Sequence, residues 1–271
     1  MMIMNILATV NSNYIYPLKV MLWSLLMSHP GQQVDTYLIH SSLTDDEIED
    51  LRRHIGRFGQ KLFPIKIDGG LFGEAPVLLH YSREMYYRLY AYRCLPDSLE
   101  RILYLDPDIL VINSLKELYN LDLRGYYFAA AYHDRISVKE INRLRLKSYE
   151  VEEYYNSGVL LMNLPLLREK VDIEDIFRFL KNEKRKLILP DQDVLNALFG
   201  KHIKIIDEIK YNYDTRYYPY YKLKSNGLVD MDYVIRNTSI LHFCGKKKPW
   251  HKGEGGKFHS LYKYYEVQAF R

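Results

Sequence analysis

Asp106 and Asp108 stand in the apolar run RILYLDPDILVIN (101–113), with only Pro107 between them. A buried, unpaired carboxylate is very costly, so two of them in a strand-like segment need compensation. If the strand continued, the two side chains would alternate in direction; if the chain turns at Pro107, both can approach one ion. A hard divalent cation would satisfy the pair and keep open positions for phosphate oxygens. Asp-Pro-Asp is also ordinary turn chemistry, in which Asp accepts from nearby backbone N–H groups. These three residues alone leave both readings open.

Three further clusters carry chemistry. In LHFCGKKKPWH (241–251), His242 closes an apolar run, Gly245 permits close backbone approach, and Lys246, Lys247 and Lys248 follow. A neutral imidazole could complete a manganese-type site with the two aspartates, and a lysine could neutralise a diphosphate. The plainer alternative is a solvated basic loop beside a core histidine. In LPDQDVLN (189–196), Asp191, Gln192 and Asp193 follow a proline, a pattern that also suits a helix start. In YYNSGVLLMN (154–163), Asn156, Ser157 and Gly158 open an apolar strand where a ligand hydroxyl could sit, or simply form a turn.

The elements that must position these residues alternate. Strands are expected at 5–10, 34–40, 61–67 and 101–111, with helices at 16–29, 42–58 and 82–95. Leu18, Leu22, Leu25 and Leu26 repeat at helical spacing, Ser42 or Thr44 can cap the second helix, and Pro64 marks an edge or irregular strand. Such alternation predicts an α/β fold with a mostly parallel mixed sheet flanked by helices, whose ligands gather at the carboxyl ends of strands. The second half predicts strands at 126–134, 156–164 and 239–245, and helices at 172–187 and 191–200, the latter ended by Gly200. The Tyr-rich stretch 211–232 reads as irregular, and its first part, 211–221, is a candidate for acceptor contact.

Composition sets the outer limits. A chain of 271 residues with 48% hydrophobic content can bury a real core and is not disordered. With no linker or repeat, 1–271 is expected to form a single domain. A net charge of +4 is too small to argue for nucleic acid. No run of 18 apolar residues predicts a spanning helix, and the first residues read as a strand rather than a signal peptide. Two distant cysteines, Cys94 and Cys244, fit reduced thiols and a cytoplasmic setting.

Taken in order, NILATVNSNY, the helix bearing Arg88, LYLDPDILV, YYNSGVLLMNL, PDQDVLN and HFCGKKKPWH resemble glycosyltransferase family 8 over nearly the whole chain. Those retaining transferases include lipopolysaccharide galactosyl- and glucosyltransferases and glycogenin. The resemblance implies a GT-A-type fold, a UDP-hexose donor (galactose or glucose), Mn²⁺ with Mg²⁺ as the second candidate, and a saccharide or glycolipid acceptor. It implies lipopolysaccharide biosynthesis at the inner face of the cell membrane, with peripheral membrane contact. Residue by residue, it places Asp106, Asp108 and His242 on the metal. Thr9, Asn11, Asn13, Arg88, Asp106, Gly245 and Lys248 fall on the nucleotide. Asn156, Ser157, Asp191, Gln192, Asp134 and His80 fall on the sugars, with Asp191 and Gln192 as the catalytic pair. Two departures stand out. Asn11 occupies a position where the family often has Asp, so the uracil N3–H would be accepted without charge assistance. The region around Asp134 also aligns poorly. The competing readings are another metal-dependent sugar-nucleotide enzyme, a nucleotidyltransferase or hydrolase, and a carbohydrate-binding module. No GxxxxGK[ST] loop is present, which argues against a nucleotide kinase.

Overall fold

A seven-stranded sheet carries the chain, built from β1 (Met4–Thr9), β2 (Val34–His40), β3 (Lys61–Lys66), β4 (Arg101–Leu105), β6 (Phe128–Ala130), β7 (Val159–Asn163) and β8 (Ile203–Ile205). The computed structural model describes residues 3–73, 83–132, 149, 153–184 and 187–271. Strand order is β3-β2-β1-β4-β7-β6-β8. Strands β3, β2, β1 and β4 run parallel, β7 is antiparallel to β4 and β6, and β8 is parallel to β6. Pro64 lies in β3, the edge strand, where a missing N–H is tolerated.

Both faces of the central strands are buried, as a parallel sheet requires. Ile6 and Ala8 of β1 and Leu103 and Leu105 of β4 pack with α1 (Ile15–Met27) and α2 (Asp45–Gly56). Their alternating neighbours Leu7, Ile102 and Tyr104 pack on the opposite face with α3 (Tyr87–Cys94). Thr44 caps α2, with a reciprocal bond from Glu47. No helix among the described residues is long and apolar enough to cross a membrane, and both cysteines are free.

The structure departs from the sequence reading at 101–111. This is not one strand. It is β4, a turn at Pro107–Asp108, and β5 (Ile109–Val111), which belongs to a second sheet. That sheet has the order β5-β10-β9, with β10 at Ile240–His242 and β9 at Tyr213–Asp214. The two aspartates therefore sit at the joint between sheets. The Tyr-rich stretch is also more regular than expected, with helices at Tyr218–Lys224 and Met231–Asn237. Tyr213, Tyr218 and Tyr221 bury their rings with Phe243, Phe258 and Tyr262, which leaves Tyr217 as the tyrosine of 211–221 that lines the central cavity. Gly200 follows the helix Pro190–Phe199 at φ −50° and leads into a tight turn, so no left-handed cap forms there. The closing helix His259–Ala269, which the sequence reading did not anticipate, packs on α1.

Candidate active site

The turn at Pro107 lets both aspartates face one point. Register then brings His242 there, because His242 pairs with Ile109 across β10 and β5. Phe243 N–H donates to the Asp108 carbonyl (2.9 Å), and Asp106 N–H donates to the Gly158 carbonyl (2.8 Å). One ligand atom from each of Asp106, Asp108 and His242 lies within 4.8 Å of the others. Nε2 of His242 stands 3.2 Å from Asp108 Oδ1 and 3.8 Å from Asp106 Oδ2.

The surrounding hydrogen bonds settle the imidazole's orientation. Gly158 N–H, which can only donate, reaches Asn156 Oδ1 (2.9 Å). The same oxygen accepts from Asn212 Nδ2 (2.9 Å). The other end of that amide, Asn212 Oδ1, then faces His242 Nδ1 at 2.8 Å, so Nδ1 carries the hydrogen. Nε2 is left to face the two carboxylates, and among the described residues the buried Asp108 Oδ1 has no hydrogen-bond partner while Nε2 carries no proton. Ligating histidines are commonly oriented through the second nitrogen in this way.

Charge points the same way. Among the described residues, Asp106, Asp108 and Asp191 outnumber the two lysine and arginine cations paired with them, Arg88 and Lys248. Arg88 Nη2 lies 3.0 Å from Asp106 Oδ1, its Nε lies 3.4 Å from Asp191 Oδ2, and its Nη1 donates to the Ser157 carbonyl at 2.8 Å. The guanidinium also lies 4.4 Å from the centre of the Tyr104 ring, whose hydroxyl donates to Asp106 Oδ1 (2.5 Å). Lys248 pairs with Asp108 and donates to the Phe243 carbonyl (2.8 Å). Burial pushes the Asp108 carboxyl up, but Lys248 and His242 outweigh it and hold the group well below the usual carboxylate range. Burial also opposes charge on His242, yet neighbouring Cys244 and Asp108 raise its proton affinity well above the ordinary value. The field that draws a proton to Nε2 is the field that draws a cation. For Asp191 burial dominates and raises the carboxyl, with Arg88 only partly offsetting it.

On its backbone side the cluster is packed tightly against Gly158. A Cβ at Gly158 would collide with the His242 ring and lie 2.7 Å from Asp106 Oδ2 and 3.0 Å from Asn156 Oδ1. Gly245, at φ +87°, lets the loop pass 2.7 Å from Arg216 Nη1, measured to where its Cβ would be. The donor set of two carboxylates and one imidazole suits a divalent cation, and the orphaned oxygen and the glycine cradle fit one.

Twelve of the sequence-predicted residues line one cavity of about 320 Å³: Thr9, Asn11, Arg88, Asp106, Asp108, Asn156, Ser157, Asp191, Gln192, His242, Gly245 and Lys248. It opens at the carboxyl ends of β1 and β4, where α/β sheets bind ligands. Asn11 Oδ1 accepts from Asn13 N–H (3.1 Å), while the Asn13 side chain is exposed and does not line the cavity. His80 and Asp134 lie outside the described residues. Within the DQD run the roles divide. Ser157 Oγ donates to Asp191 Oδ2 (2.8 Å), and Asn156 Nδ2 donates to Gln192 Oε1 (3.3 Å). Asp193 instead accepts from Tyr154 OH (2.6 Å) and the Ile188 N–H (2.9 Å), so it buttresses the helix start.

Sequence reasoning missed Gly158, Asn212 and Arg216 as site residues. A glycine opening a strand signals close approach by another group, so Gly158 had a signal. Asn212 and Arg216 had none, because their neighbours are set by the second sheet.

Comparison with known proteins gives the family and the fold. The family model for glycosyl transferase family 8 matches residues 5–254. General stress protein A of Bacillus subtilis is 27% identical over 97% of this chain and 93% of its own. A lipopolysaccharide 1,2-glucosyltransferase of Escherichia coli K12 is also 27% identical, over 97% of this chain and 77% of its own. The crystal structure of the galactosyltransferase LgtC with donor and acceptor sugar analogues superposes with a TM-score of 0.84 at 23% identity, covering 98% of this chain and 96% of that one. The fold is thus of the GT-A type, and the chain belongs to glycosyl transferase family 8.

Proposed function

We propose that this chain, acting as a single catalytic domain, moves galactose or glucose from UDP-hexose to a saccharide or glycolipid acceptor with retention and in a metal-dependent way. The observation that carries this reading is the convergence of Asp106, Asp108 and His242 beside Lys248 at the floor of the cavity. Relatives named as lipopolysaccharide 1,2-glucosyltransferase and 1,3-galactosyltransferase support the hexose and the class of acceptor.

Asp106, Asp108 and His242 would hold Mn²⁺, which when bound disperses negative charge on the departing diphosphate. Lys248 adds a buried positive charge beside the same position. Arg88 fixes the carboxylates of Asp106 and Asp191, and Asp191 and Ser157 present acceptors and donors to sugar hydroxyls. The bond from the anomeric carbon to the phosphate oxygen breaks and UDP leaves. The acceptor oxygen bonds to the same face, and its proton passes to the departing phosphate. Gln192, an amide beside Asn156, is a poor nucleophile, which favours same-face attack over a covalent intermediate.

The test is thermal denaturation with UDP, with and without Mn²⁺, on the parent and on Asp106→Ala and Asp108→Ala. At a hundred times its dissociation constant a ligand adds about 2.7 kcal/mol of stability. For a chain of this size that is a rise of roughly 5 to 10 °C. The parent should show it only with Mn²⁺, and the variants should lose it. A UDP shift indifferent to EDTA, or intact in both variants, would refute the reading. Product analysis showing free sugar phosphate instead of a glycoside would point to a hydrolase or nucleotidyltransferase.

A further inference from the structure

A second cavity, of about 240 Å³, lies behind the loop that carries Gly245 and Lys248. It shares Arg216, Cys244, Gly245 and Lys248 with the central cavity. Among the described residues five cationic side chains line it, those of Arg216, Lys246, Lys247, Lys248 and Lys257, and no carboxylate does. The whole chain carries 38 basic and 34 acidic residues, so this imbalance is local. Three of the five have carboxylate partners outside the lining, Arg216 with Asp214, Lys247 with Glu254 and Lys248 with Asp108, so among the described residues Lys246 and Lys257 are the surplus that an anion would balance.

The cluster is built as well as charged. Arg216 is clamped by the fully buried Asp214: Nε lies 2.9 Å from Oδ1 and Nη2 lies 2.5 Å from Oδ2. That clamp uses one edge of the fork, and among the described residues Nη1 has no hydrogen-bond partner. Nearly half of the side chain is exposed at the wall common to the two cavities. Lys257 Nζ is seated 5.2 Å from the centre of the Tyr218 ring. His259 lines the same cavity, and among the described residues its buried Nδ1 has no hydrogen-bond partner. A buried polar atom left unpaired calls for a ligand or water. A guanidinium held on one edge and open on the other is suited to a phosphate or carboxylate.

We propose that this cavity is an anion subsite for the acceptor. It would seat a phosphate or carboxylate substituent of the acceptor saccharide, read by Arg216 Nη1 with Lys246 and Lys257, while the sugar itself reaches the central cavity. The inference rests on the glycosyltransferase reading and names its acceptor class: an anionic saccharide. The same chemistry could come from a free phosphate or from the donor's own diphosphate, and the experiment separates these sources.

The test is calorimetric titration of the whole chain loaded with UDP and Mn²⁺, at fixed ionic strength. Glucose 6-phosphate, glucose and inorganic phosphate are the probes. Glucose 6-phosphate should bind about tenfold or more tighter than either other probe, the gain expected of a charge-assisted contact. Lys246→Gln with Lys257→Gln should remove that preference and leave the UDP affinity within about twofold, because neither lysine lines the donor cavity. Equal binding of glucose and glucose 6-phosphate overturns the proposal. Inorganic phosphate binding as tightly as the sugar phosphate overturns the acceptor assignment, and competition between glucose 6-phosphate and UDP assigns the anion to the donor. Should UDP fail to bind, the function proposed above falls. The same titrations on the unloaded chain then decide the subsite alone. If the double variant melts early, Lys257→Gln by itself carries the comparison.

Discussion

Replacing Gly158 by alanine adds a single methyl at the point where the site has no room. Its backbone is not in a left-handed conformation, so the change tests space rather than strain. The new carbon would overlap the His242 ring and sit 2.7 Å from Asp106 Oδ2, inside the 3.0 Å limit that such contacts essentially never cross. Neither neighbour is a free side-chain end. The imidazole is fixed by Asn212, and Asp106 is fixed by Arg88 and Tyr104. Relief therefore requires the Gly158 strand end or the ligands to shift. Overpacking of this kind costs about 1–3 kcal/mol in stability. Displacing oriented ligands lowers metal affinity about 10- to 100-fold. Free Mn²⁺ measured by electron paramagnetic resonance during titration gives the affinity, and urea unfolding of the metal-free chain gives the stability. The expected result is a loss in both, with the loss in metal binding the larger relative effect. Mn²⁺ binding equal to the parent's would refute the argument that Gly158 makes the space in which Asp106 and His242 converge.

Two other predictions follow from the same packing. Asn212→Leu removes the acceptor that keeps hydrogen on His242 Nδ1, and Mn²⁺ affinity should fall about 10- to 100-fold, while Asn212→Asp, which keeps that acceptor but loses the donor to Asn156 Oδ1, should recover only part of it; paramagnetic titration of both variants reads this, and equal losses would contradict the orienting role. On the far side of the sheet, burial aided by Arg57 pushes His54 down to about 4, and its Nε2–H donates to the Lys19 carbonyl at 3.1 Å. The unfolded chain therefore binds a proton near pH 6.5 that the folded chain refuses until about pH 4, so stability is full above 6.5 and falls across that window. After allowance for solvent screening the effect is about 2 kcal/mol. Urea midpoints from pH 7 to pH 4 should drop more steeply for the parent than for His54→Gln, and parallel curves would remove His54 as the cause.

How much of this was written in the sequence differs element by element. The strands and helices of 4–66 were legible because apolar period and caps are local signals: Thr44 with Glu47 starts α2, and the leucines of α1 repeat at helical spacing. The acids at 106 and 108 were legible as a question, since an apolar run interrupted by two carboxylates has few physical answers. What local pattern misjudged was 101–111, read as one strand. Burial is equally complete on both sides of the turn, so nothing in residue type marks the change of sheet. The tyrosines of 211–221 misled in the opposite direction. Their amphipathic rings suit a sugar surface or a core equally well, and only packing against Phe258 and Tyr262 decides for the core.

The sequence by itself determined the alternation of strands and helices, the identity of the two acids and the imidazole, and the family that shares them. Tertiary structure alone decided that residues 106, 108 and 242 meet, because the register of His242 with Ile109 spans more than a hundred residues of chain. It alone decided that Asn212 orients the imidazole and that Gly158 lets Asp106 and His242 come close together. Local order follows from interactions within a few residues, whereas a site is a set of distances between segments. Those distances exist only once two sheets have packed against each other.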